Sequence, residues 1–328
     1  MTATGTVLGY AMKVLGTLPR PVRRAVLARA AGGDLPAVPD YVRMLEVAGD
    51  LPETGPTDEE LFQRFPQLAG VRVSDVPAGV PARLYRGPGE PVAGLVWVHG
   101  GAFVSGSLRM AEAHFVGLAL AARGISVLSL DYRKALHGVR YPAGSDDVLT
   151  GWTWAVATAD RLGVPVERLH LGGASAGANL AAGVAKRLRD GAGQPPASLL
   201  LIYPCVHAEL PPWTPEQLAA VRGNRSAVYF APDWVAAMSR HYAGGAGLDD
   251  PCAFPANGDL TRLPRTLVLN CEYDTLRSSG EAFTVALRDA GVDVTEHLQP
   301  GAVHGCLGEP FTVAAADVLD RMDGWLRT

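Results

Sequence analysis

Three residues in the C-terminal half of this 328-residue sequence have the side chains that nucleophilic catalysis requires: Ser175, Asp274 and His304, in that order. Ser175 lies in "HLGGASAGANLA", residues 170–181, between two glycines in an apolar run. The short pattern G-x-S-x-G carries little weight alone. With 38 Gly and 12 Ser in the chain, it would arise by chance in about one such sequence in six. Taken alone, the stretch fits a small-residue packing turn almost as well as a nucleophile.

The neighbours decide. A serine hydroxyl is a poor nucleophile at neutral pH, so it needs a base, and the base needs an acid to orient it. Asp274 lies in "LVLNCEYDTLRSSG", just past a strand pattern ending near Asn270, and His304 lies in "LQPGAVHGC", just past one ending near Leu298. Each would be an unremarked loop residue by itself; order and placement after two consecutive strands raise them. His170 and His297 fall inside strand patterns, and His114, His137, His207 and His241 read as surface or helix residues. Asp250, Asp259 and Asp289 read as caps or solvated charges, and Glu272 stands closer to the strand than Asp274 does.

Acyl transfer also needs donors aimed at a developing oxyanion, each worth about 3 kcal/mol. In "VWVHGGAFVSG" a strand ends at His99, and Gly100, Gly101 and Ala102 follow without bulky side chains. This loop and the residue after the serine, Ala176, form the candidate oxyanion hole, with the N–H groups of Gly101, Ala102 and Ala176 as donors. An ordinary glycine turn would look the same in isolation.

These residues require a frame that brings distant strand ends together. From about Ala93, short β-branched runs alternate with helical patterns: strands at 94–98, 125–130, 168–172, 198–203, 266–270 and 294–298, helices at 111–123, 146–161 and 279–290. That order implies a mostly parallel sheet with helices on both faces. "VRVSDV" and "ARLYRG" read as an antiparallel hairpin leading into it. Residues 1–70 are helix-like and precede the sheet. A long stretch from about 205 to 262 separates two strands, and insertions after strand carboxyl ends lie where ligands bind in such sheets. Both segments are candidate caps.

Composition sets outer bounds. Hydrophobic residues make up 48% and charged residues 19%, as in an ordinary globular protein. The net charge of −4 and pI near 6.1 give no electrostatic basis for nucleic-acid binding. Cys205, Cys252, Cys271 and Cys306 form no C-x-x-C pair and read as reduced cytosolic thiols. The N-terminus has neither a basic region ahead of its short apolar patch nor 18 continuous apolar residues, so neither a cleaved signal nor a membrane span is expected. Arg20, Arg23, Arg24 and Arg29 beside an apolar face read as the solvated side of a packed amphipathic helix rather than a membrane-surface helix.

The chain resembles the hormone-sensitive-lipase-like branch of the α/β-hydrolase esterases from about Val80 to its C-terminus. The matching pieces are "HGGAF", "DYR" at 131–133, "YPAGSDDV" at 141–148, "GGASAGANLA", "LIYP", "HYAGG", "LDDPCAFP", "LPRTLVLNCEYDTLRSSGEAF" and "AVHGC". The resemblance implies an α/β-hydrolase fold of about eight strands with a helical cap (residues 1–70 and an insertion around 205–250) on a catalytic domain of residues 71–328. It also implies a Ser175/Asp274/His304 triad, no metal or organic cofactor, and a homodimer. Four departures bear on substrate preference: Ala174 before the serine, Ala102 for the third glycine of the oxyanion motif, Cys306 where an aromatic residue is common, and "CVHAE" after "LIYP".

The leading expectation is a cytoplasmic, cofactor-independent serine carboxylesterase for short- to medium-chain acyl esters. The same triad could serve amide or formamide hydrolysis or acyl transfer to an alcohol, and sequence does not separate these. A ligand-binding protein with a decayed hydrolase site is disfavoured by the presence of all three triad residues. No large apolar-striped lid points to an interfacial lipase.

Overall fold

The computed structural model describes residues 35–48, 55–224 and 226–328. The basic stretch with Arg20, Arg23, Arg24 and Arg29 lies outside them. Among the described residues eight strands form one sheet: β1 (Arg72–Pro77), β2 (Pro81–Arg86), β3 (Ala93–Val98), β4 (Ile125–Leu130), β5 (Leu169–Ala174), β6 (Leu199–Ile202), β7 (Thr266–Tyr273) and β8 (Val294–Val303). Their order is β1-β2-β4-β3-β5-β6-β7-β8. β1 and β2 pair antiparallel, as do β2 and β4, and all remaining pairs are parallel. This is the mostly parallel sheet that the alternation of runs implies, in the eight-strand α/β-hydrolase arrangement that the resemblance implies.

Strands β3, β4 and β5 are buried at every position, as expected of parallel strands covered on both faces. Against one face pack the helices α4 (Ala143–Ala157) and α6 (Ala176–Arg187), with Trp152, Leu180 and Val184 in the core. Against the other pack α3 (Ala111–Ala122) and the C-terminal helix α10 (Val313–Leu326), with Phe115, Leu118 and Met322. α3 is apolar nearly all round because its outer side is also covered: Leu61 of α2 (Asp58–Arg64) and Leu68 join the same cluster, and Phe65 lies 5.7 Å from Phe115.

Among the described residues the other N-terminal helix, α1 (Val38–Ala48), meets α8 (Pro232–Ala243) from the long stretch between β6 and β7. Tyr41 packs edge-on to Trp234 at 5.9 Å, and the Trp234 indole N–H donates to the Pro36 carbonyl. That stretch also carries α7 (Pro215–Gly223), which starts at a Thr214/Gln217 capping box. Short α5 (Ala159–Leu162) and α9 (Arg277–Asp289) complete the described α-helices.

β7 and β8 run further than their sequence patterns indicate, to Tyr273 and Val303 rather than Asn270 and Leu298. Pro300 and Gly301 resemble a turn in sequence. β8, however, is an edge strand that pairs only with β7, where a missing N–H is tolerated. The register slips there: from Cys271 to Tyr273 one strand advances while its partner moves from Gln299 to Val303. All four cysteines are unpaired, and Cys271 and Cys306 bring their sulfurs to 3.9 Å in the core. Among the described residues no helix is long and apolar enough to cross a membrane.

Candidate active site

Four parallel strands, two on each side of β6, end at the same edge of the sheet, and each delivers one part of the site. β3 leads into His99, β5 into Ser175, β7 into Asp274 and β8 into His304. Carboxyl ends of parallel strands are where such sheets hold ligands.

Ser175 links β5 directly to α6, with φ 54° and ψ −119°. A non-glycine residue in that conformation costs about 1–3 kcal/mol and persists only where its surroundings enforce it. Its N–H donates to the Ile202 carbonyl and its carbonyl accepts from Asn179, so both sides of the turn are held. The reversal leaves the hydroxyl half-exposed above the sheet at the positive end of α6.

The Ser175 hydroxyl lies 3.0 Å from His304 Nε2, and His304 Nδ1 lies 2.7 Å from Asp274 Oδ2. A carboxylate only accepts, so Nδ1 carries the imidazole proton and Nε2 offers its lone pair to the serine O–H. The second carboxyl oxygen, Oδ1, accepts from the Leu276 N–H, and the Asp274 side chain is buried. Tyr203 and Phe230 pack edge-on to the imidazole at 4.9 and 5.0 Å. The arrangement can take a proton from Ser175 and hold the imidazolium that results.

The loop after β3 is held peptide by peptide. The Gly100 N–H donates to Glu112 Oε2 at 2.9 Å. The Gly100 carbonyl accepts from His99 Nδ1 at 2.6 Å, which turns the Gly101 N–H of the same trans peptide the opposite way. The Gly101 carbonyl accepts from the N–H groups of Val104 and Ser105 and from the Ser105 hydroxyl, which turns the Ala102 N–H away in the same manner. Gly101, Ala102 and Phe103 all have positive φ, at 124°, 51° and 66°. Burial pushes the His99 pKa down, and the Gly100 carbonyl, which only accepts, places a proton on Nδ1. Lys134 bridges the other nitrogen and Asp131.

Residues 95–308, which include every group just described, match the family described as alpha/beta hydrolase fold. The chain belongs to that family. This α/β-hydrolase is 33% identical over 248 residues to carboxylesterase NlhH of Mycobacterium tuberculosis, covering 72% of this chain and 74% of the relative. It is 31% identical over 247 residues to ethyl acetate hydrolase of Pseudomonas putida, covering 73% and 74%. Among solved structures, a hormone-sensitive lipase from a metagenome library superposes with a TM-score of 0.70 at 25% identity, covering 88% of this chain and 97% of that one. The hormone-sensitive-lipase-like resemblance is thereby upheld.

In this hydrolase the fold joins Ser175, His304 and Asp274 in one hydrogen-bonded chain and sets Gly100, which precedes Gly101 and Ala102, against the serine turn. Gly100 lines the candidate oxyanion loop without being one of its three donors. Its N–H is committed to Glu112, so it belongs to the support of the loop rather than to its donors. Three residues that sequence reasoning passed over are also at the site: Glu112, Ser105 and Phe230. The signal for Glu112 was present, since it is the lone charge in an apolar helix without a solvent face. Phe230 had none, because nothing local distinguishes it from other aromatic residues of the long insertion. The "DYR" and "SDDV" motifs meet as an ion pair in which Asp147 accepts from the Arg133 backbone and guanidinium.

Proposed function

We propose that this α/β-hydrolase is a serine carboxylesterase acting on short- to medium-chain acyl esters. The observation that carries the reading is the continuous hydrogen-bonded relay from Ser175 Oγ through His304 to Asp274. Ser175 attacks the ester carbonyl carbon while His304 Nε2 takes the hydroxyl proton. The carbonyl π electrons move to oxygen, and the N–H groups of Gly101, Ala102 and Ala176 receive the oxyanion. Collapse breaks the bond to the alcohol, which leaves with the proton from His304. Water then attacks the acyl-enzyme with His304 as base again, releasing the acid and restoring Ser175.

The bound on acyl size is supported by aromatic crowding around the base and by likeness to a relative named for ethyl acetate. In this reading the cap of residues 1–70, of which 1–34 and 49–54 lie outside the described residues, and the insertion at about 205–250 exclude water, a role supported within the described part by the Tyr41–Trp234 and Phe230–His304 contacts. The family resemblance adds a homodimer, which size-exclusion chromatography with light scattering tests, and the unpaired cysteines support a cytoplasmic location.

The deciding experiment is labelling with a fluorophosphonate and peptide mapping, followed by p-nitrophenyl esters of increasing chain length. Modification of Ser175, loss of turnover in Ser175→Ala with an unchanged melting temperature, and a rate maximum at short or medium chains are expected. Normal hydrolysis by folded Ser175→Ala would refute the nucleophile.

A further inference from the structure

Glu112 stands in the first turn of α3 with its carboxyl group buried beneath the oxyanion loop. Its two oxygens have separate partners: Oε1 accepts from the Trp97 indole N–H at 2.8 Å, and Oε2 accepts from the Gly100 N–H at 2.9 Å. Among the described residues, no other side chain accepts from a backbone N–H between 99 and 104. Gly100 is also gripped sterically. A Cβ placed there would meet the Ala174 carbonyl oxygen at 3.2 Å, Glu112 Oε2 at 3.4 Å and Ser175 Cβ at 3.5 Å. The carboxyl group and the serine turn therefore hold this residue between them.

Burying a carboxyl group costs several kcal/mol unless its oxygens find donors. A neutral amide of the same shape would be cheaper to bury, but it has a single acceptor oxygen. Two N–H donors converge here, and only a carboxyl group offers each of them an oxygen. One donor is the Trp97 side chain near the end of β3, the other the N–H of the His99–Gly100 peptide just before the positive-φ run. Downstream, Ser105 holds the Gly101 carbonyl and with it the Ala102 N–H, and His99 holds the Gly100 carbonyl and with it the Gly101 N–H; upstream, Glu112 fixes the His99–Gly100 peptide from which both planes follow.

We propose that Glu112 is a positioning residue for ester hydrolysis, setting the Gly100 peptide so that the next two N–H groups point at the developing oxyanion. The inference rests on the esterase reading. Glu112 does not touch substrate; it acts through Gly100, and a displaced peptide weakens the transition state more than the bound ester.

The test is Glu112→Gln, which is isosteric but sets an NH₂ group against one of the two N–H donors, with Glu112→Asp as the variant that keeps both acceptor oxygens. Turnover is measured on p-nitrophenyl butyrate per fluorophosphonate-titrated site, so that only folded, reactive enzyme is counted, alongside the affinity for an alkyl trifluoromethyl ketone. For Glu112→Gln, kcat per site should fall by at least about tenfold. KM should stay within about threefold, ketone affinity should fall in step with kcat, and Glu112→Asp should lie between Gln and wild type. A lowered melting temperature with unchanged kcat per site and unchanged ketone affinity would overturn the proposal. If Glu112→Gln yields no folded protein, Glu112→Asp carries the same readings, and wild-type values there also overturn it. Absence of both labelling and turnover in the wild type would instead fell the esterase reading, and the proposal with it.

Discussion

Gly173 and Gly177 face each other across the turn that carries Ser175, so closely that a Cβ on Gly173 would lie 2.5 Å from the Gly177 carbonyl group. A Cβ on Gly177 would lie 2.1 Å from the Val98 carbonyl oxygen and 2.5 Å from that of His99. These obstacles are backbone, which cannot swing aside as a side chain can. The glycines thus let the serine turn sit directly against the end of β3, where the oxyanion loop begins. Gly177→Ala is expected to destabilise the fold by about 3 kcal/mol and to depress activity even in the surviving folded fraction. Urea denaturation together with kcat per titrated site reads both effects.

Asp274 accepts from the imidazole through one oxygen and from the Leu276 N–H through the other. Asp274→Asn would preserve shape while offering an NH₂ group to His304 Nδ1. The ring would then hold its proton on Nε2 and meet Ser175 as a donor, with no lone pair for the hydroxyl proton. A fall in kcat of about 10⁴-fold is expected, with a much smaller change in KM. Steady-state kinetics on a p-nitrophenyl ester checks it, and a loss below about tenfold would contradict the tautomer drawn here.

Much of this arrangement was legible in the chain. The alternation of β-branched runs with helical patterns marks the strands, and the order Ser175, Asp274, His304 after successive strands marks the relay. What escaped depends on tertiary context. Pro300 and Gly301 look like a turn locally and lie within β8 only because an edge strand tolerates them. Gly100 looks like its glycine neighbour until Glu112, twelve residues on, takes its N–H. Phe230 reaches His304 only through the packing of the long insertion.

The pH dependence of stability has opposing contributions. Burial pushes His170 and His207 down to about 4, whereas both ionise near 6.5 in the unfolded chain. Between those values the unfolded chain holds more protons, so stability falls as pH drops from 6.5 toward 4. Burial pushes Glu112 up to about 7, from 4.5 when exposed, so the folded chain holds the extra proton and stability falls as pH rises through that window. Two imidazoles outweigh one carboxyl group, and His99 is shifted downward as well. Net acid destabilisation between pH 6.5 and 4.5 is expected, up to about 3 kcal/mol for each fully buried imidazole. His170→Asn keeps an acceptor for the Ser198 hydroxyl while removing the titration. Urea midpoints at pH 7 and pH 5 should therefore differ less in that variant than in the wild type, and an equal difference would remove His170 from the account.

Ala102 replaces the third glycine of the oxyanion motif and has φ 51°. An L-residue with a Cβ in the left-handed region carries a penalty of about 1 kcal/mol that glycine avoids. Ala102 is held there because the Gly101 carbonyl accepts three donors and Phe103 is buried just beyond it. Ala102→Gly should relieve that penalty without moving the N–H, since the clamps act on neighbouring residues. The expected result is a melting temperature equal to or a few degrees above wild type with kcat within about threefold. Ala102→Val adds a β-branched side chain, for which positive φ is a far stronger outlier, and should lose both stability and turnover. Thermal melts and kinetics of the pair test whether the loop is set by its clamps. If Ala102→Gly lost activity at unchanged stability, the methyl group itself would be holding the donor in place.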